Sequence, residues 1–145
     1  MNALRLAAFL TQKRRTLISL CLVSLLGLAA KFYSGPAARW ANNSLSGVFY
    51  EIFWCLVLAL LFRRLPAATI AGTVFAITCL LECLQLWHPP FLQFLRSNFW
   101  GRALLGDTFA WSDFAYYLGG SAVGWIWVKW LRADASPSQG CPPGE

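Results

Sequence analysis

Charge is scarce in this chain. Only 12% of its 145 residues are Asp, Glu, Lys or Arg, and just six are acidic. A soluble domain carries about 25% charged residues, so this scarcity, with 58% hydrophobic residues, excludes an ordinary water-soluble globule. Histidine is nearly absent, and the single His88 sits beside Pro89 and Pro90 at the edge of an apolar run. That excludes a haem held by an imidazole inside the apolar segments. The five cysteines are odd in number and most interrupt apolar runs, which supports neither a disulfide framework nor a zinc motif. Cys79 and Cys83, one helical turn apart, read as small packing residues ahead of a thiol pair or soft-metal site. The net charge of +6 does not indicate nucleic acid, because no soluble module remains to carry a basic face.

What the chain has instead is apolar blocks of roughly the 17–25 residues that cross about 30 Å of hydrocarbon. The pattern predicts an all-α fold: a four-helix transmembrane bundle, one domain over residues 1–132, with spans at about 16–33, 45–62, 66–87 and 112–131. Gly35 and Pro36 stop the first span, and Arg63 and Arg64 end the second. Pro66 suits the first turn of the third, and Ser112 and Asp113 offer an N-cap for the fourth. The first run, after Lys13, Arg14 and Arg15, also resembles a signal peptide with a small-residue cleavage pattern at Gly27-Leu28-Ala29, but it is long for one and is expected to stay as a helix. Residues 133–145, rich in Pro, Gly and Ser, read as a disordered tail. Arg5, Lys13, Arg14, Arg15, Arg63, Arg64, Lys129 and Arg132 fall on the side of the termini, against Lys31, Arg39, Arg96 and Arg102 opposite. The positive-inside rule then places both termini in the cytoplasm, in a multi-pass inner-membrane protein. Trp40, Trp87, Trp100, Trp111 and Trp130 fall near the interfaces as an aromatic belt.

An ionisable side chain inside a span is costly and marks a functional site. On this topology Glu51, Glu82, Asp107 and Asp113 all fall in the outer half of the bilayer or just above it, with Glu51 about two turns into its span. The connection at about 89–106 is too broken to cross and reads as an amphipathic interfacial or re-entrant segment, a lid bearing Arg96 and Arg102. Glu82 and Gln85 share a face of the third helix. Gly47, Glu51 and Trp54 or Cys55 line the second, while Asp113, Tyr116, Tyr117, Gly120 and Gly124 line the fourth, where the Gly120-x-x-x-Gly124 spacing permits close helix packing. Two readings stay open: a pocket in which the arginines grip an anionic group while a carboxylate handles a proton, or buried ion pairs pinning the lid. No ligand spacing supports a metal site among Glu51, Glu82, His88, Asp107 and Asp113, and no cofactor is implied.

The stretch Glu82-x-x-Gln85, then Arg96, then Gly106 to Asp113, then Tyr117 and Gly119 to Gly124 resembles the VanZ-like bacterial membrane family. The segments Lys31 to Pro36 and Tyr50 to Cys55 resemble more closely a related uncharacterised branch of small membrane proteins, domain of unknown function 2809. The resemblance covers most of residues 31–125. It implies a four-helix membrane architecture and points to Glu82, Gln85, Arg96, Asp113, Gly120 and Gly124. Tyr117 stands where that family usually has Asn. It implies no reaction, since the family's activity is not established. The expected function is therefore binding or accessory, toward an anionic lipid, an envelope precursor or a protein partner. The alternatives are a lipid-modifying enzyme with Glu82 or Asp113 as acid or base, a proton or ion path, and a subunit of a larger membrane complex.

Overall fold

The structure is a computed structural model that describes residues 3–86, 90–98, 101 and 110–133, with their side chains except at 3–8, 85, 92 and 96. Every regular element among them is helical. Helix α1 spans Ala3–Lys31. It starts well before the expected Thr16, because residues 3–26 hold no Gly or Pro and are rich in Ala, Leu, Gln, Lys and Arg, which favour helix. The basic cluster Lys13 to Arg15 thus lies within the helix.

Helix α2 runs from Ala38 to Leu61, starting earlier than the expected residue 45. Ala37 precedes it with φ at 62°. Its first part includes a π-helical turn, Ala41–Leu45, before the regular stretch Ser46–Leu61. The side chain of Asn42 in that turn finds partners on another helix. The Asn42 amide lies within 2.7 Å of Ala30 O and 3.1 Å of Tyr33 O, with its nitrogen turned inward to cap the last carbonyls of α1. Lys31 Nζ donates to Asn42 O at 3.4 Å.

Helix α3 spans Ala67–Gln85 and follows Pro66, whose fixed φ suits a helix start. A short helix α4, Pro90–Arg96, follows with Phe91 and Phe94 exposed. Helix α5 spans Trp111–Ala133. Ser112 and Asp113 lie inside its first turn, so neither is the cap the sequence suggests; Ala110 occupies the position before the helix. An acid at Asp113 still suits the positive end of the helix dipole.

Helix α2 is the centre. It packs against α1, α3 and α5, and α5 also packs along α3, whereas α1 meets chiefly α2. The apolar core, which includes Ile52, Cys55, Leu56, Ile70, Val74, Val128 and Leu131, fills one half of this assembly. The other half, toward the C-terminal end of α3, holds the buried polar side chains of α2, α3 and α5, among them Glu51, Thr78, Glu82 and Ser121. The outer surface is apolar on all four long helices, with Leu25, Leu61, Leu80, Leu118 and Ile126 all exposed. Two helices, Ala38–Leu61 and Ala67–Leu84, are long and apolar enough to cross a membrane.

Candidate functional site

Helical spacing puts Thr78 and Glu82 one turn apart on α3, and Tyr117 and Ser121 one turn apart on α5. Where the two helices face each other, these side chains form two rungs. In the first, Glu51 reaches in from α2. Thr78 Oγ1 is hydrogen-bonded to its Oε1, and Ser121 Oγ donates to its Oε2 at 2.7 Å. In the second, Tyr117 donates its hydroxyl to Glu82 Oε2 at 2.9 Å, and the Ala110 amide donates to Glu82 Oε1 at 2.9 Å. Both carboxyl groups are buried, Glu51 at 0% and Glu82 at 1% exposure. Glu51 lies well inside α2. With α2 beginning at Ala38, it sits about 20 Å along its helix, at about 1.5 Å per residue.

Small residues make room for both rungs. A Cβ on Gly120 would lie 2.7 Å from Glu51 Cβ and 2.9 Å from Val48 O, so glycine there lets α2 press its carboxylate-bearing face onto α5. Gly124 admits Cys55 one turn on, where a Cβ would meet Sγ at 2.8 Å. Gly47 lies under the Tyr117 ring, 3.2 Å from the site of an added Cβ. On α2 Gly47, Glu51 and Cys55 follow at successive turns, and each meets a matching position on α5.

The structure therefore brings together Glu51, Glu82, Tyr117 and Gly120, with Gly124 just beyond. It does not bring Asp113 into either rung. That side chain is only partly buried and accepts from Ser112 Oγ at 3.3 Å. Tyr116 turns elsewhere, accepting from Trp40 Nε1 at 2.9 Å. The side chains of Gln85 and Arg96, and His88, Arg102 and Asp107 altogether, lie outside the described residues, as does the tail beyond Ala133. Thr78, Ser121 and the Ala110 amide escape the sequence reading. The two hydroxyls carry a signal in hindsight, one turn from Glu82 and from Tyr117 respectively, whereas a backbone amide carries none. Cys79 and Cys83 are free thiols. Among the described residues no three His, Cys, Asp or Glu side chains converge as a metal site would require.

Residues 37–121 match a family described as a protein of unknown function, DUF2809. No curated protein matches the chain, and no solved structure does. The matched segment begins just before α2 and ends at Ser121, so it contains every side chain of the two rungs and leaves out α1 and Gly124.

Proposed function

The chain belongs to the DUF2809 family of unknown function, and we propose that it is a small multi-pass protein of the bacterial inner membrane with a binding or accessory role. In this reading α1, α2, α3 and α5 are four spans of a single VanZ-like domain, and both termini are cytoplasmic. The apolar outer surface of all four helices supports burial in lipid. The bias of Lys and Arg toward the ends near Lys13, Arg63 and Arg132 supports the orientation. Tyr117, at the place of the VanZ-like Asn, supplies a donor to Glu82 as an amide would.

One observation carries the choice of binding over acid-base chemistry. The oxygens of both buried glutamates are engaged in hydrogen bonds inside the bundle, with Thr78, Ser121, Tyr117 and Ala110. Glu82 in particular fastens the chain just before α5 to the end of α3, which fixes both ends of the connection that carries Arg96 and Arg102. Those two arginines are suited to a phosphate-bearing ligand, such as an anionic lipid or a lipid-linked envelope precursor, at the outer face. The test is lipid extraction and mass spectrometry of protein purified in mild detergent. The Arg96→Ala, Arg102→Ala double variant is expected to lose copurifying anionic lipid; the same lipid content as wild type refutes the site.

A further inference from the structure

The hydrogen bonds around Glu51 can be balanced proton by proton, whatever the role of the outer face. Thr78 Oγ1, besides its bond to Glu51 Oε1, lies 3.0 Å from Val74 O and 3.0 Å from Phe75 O. A threonine hydroxyl has one proton, and a carbonyl oxygen can only accept. With that proton on the α3 backbone, the bond between Thr78 and Glu51 requires a proton from Glu51 itself. Ser121 Oγ then donates to Oε2, the carbonyl oxygen of the acid, at 2.7 Å. Each proton in the cluster has one acceptor.

An ionised Glu51 would leave a full charge at 0% exposure facing two neutral hydroxyls. Among the described residues, the other titratable groups near it are Tyr50 and Cys55 on α2, Cys79 and Glu82 on α3, and Tyr117 on α5, none of them a cation. A buried carboxyl group without a cation escapes the cost of its charge by taking up a proton. We propose that Glu51 is held as the neutral carboxylic acid, a clasp that donates to Thr78, accepts from Ser121 and so lets α2 close on α3 and α5 over Gly120. The clasp holds one proton in the seam one turn from Glu82.

The proposal is tested by infrared spectroscopy of the full chain in lipid at neutral pH, with glutamate labelled with carbon-13 at the side-chain carboxyl. Glu51, Glu82 and Glu145 are its only glutamates. The expected result is a protonated-carboxyl C=O band that shifts with the label and is lost or reduced in Glu51→Gln. Absence of the band in the wild type, or a band of unchanged strength in Glu51→Gln, overturns it. If Glu51→Gln fails to fold, the Glu82→Gln, Glu145→Gln double variant leaves Glu51 as the sole glutamate, and the band must then persist; its absence overturns the clasp.

Discussion

Tyr117 ties three helices together through one side chain. Its hydroxyl donates to Glu82 Oε2 on α3 at 2.9 Å while its ring rests over Gly47 on α2. Tyr117→Phe keeps the ring and removes this donor from a buried carboxyl group. Such a loss costs about 1–3 kcal/mol, and it is expected as a lowered unfolding midpoint in detergent. Trp40→Phe is the matched control. It also deletes a 2.9 Å hydrogen bond, to Tyr116, but Trp40 is exposed, so water or headgroups replace the partner and the change should stay within about 0.5 kcal/mol. Equal effects of the two substitutions would show that burial of Glu82 does not set the cost.

Helices α2 and α5 meet along a line where every turn alternates a glycine on one with a larger side chain on the other. The glycines of α5 therefore differ sharply in what they tolerate. Gly120→Ala places a Cβ 2.7 Å from Glu51 Cβ and 2.9 Å from a backbone oxygen, neither of which is the free end of a flexible chain. The helices must part, at a cost of about 1–3 kcal/mol. Gly119→Ala meets nothing within 4 Å, and gains about 0.5–1 kcal/mol of helix propensity. Thermal unfolding of the two variants should thus move in opposite directions; a shared direction would contradict the packing of α2 on α5. The spacing of Gly120 and Gly124 marks a close approach in the sequence, but the adjacent Gly119 looks the same there. What separates them is the phase of α5 against α2, a tertiary property that a single sequence does not carry. The start of α2 was hidden for a related reason. Asn42, Asn43 and Ser44 favour turns locally, and only the carbonyls at the end of α1 turn Asn42 into a cap that a helix can keep.

The long apolar blocks were plain from composition, whereas the position of Glu51 along α2 depends on where that helix begins and so is clear only from the packed helices. The apolar core and the polar seam occupy opposite halves of the same three helices, α2, α3 and α5. A bilayer supplies no hydrophobic force between helices, so association there rests on close packing and interhelical hydrogen bonds. The seam provides both, through Gly120 and Gly124 on one side and the two glutamates on the other. Helix α1, outside the family match, lies along α2 and carries Lys13, Arg14 and Arg15; in the proposed four-span topology these, with Arg63, Arg64, Lys129 and Arg132, set the orientation. Green fluorescent protein fused after Ala133 is expected to fluoresce, and alkaline phosphatase fused there to be inactive, since both report a cytoplasmic end. Phosphatase fused after Asn98 should be active, because in the proposed topology that point, after α4, lies on the opposite side. The reverse pattern would place the seam's Glu82 end, and with it the proposed anion site, in the cytoplasm. Reversing the charges of Arg63 and Arg64 tests the cause, since only a topology set by those residues should then yield molecules of mixed orientation.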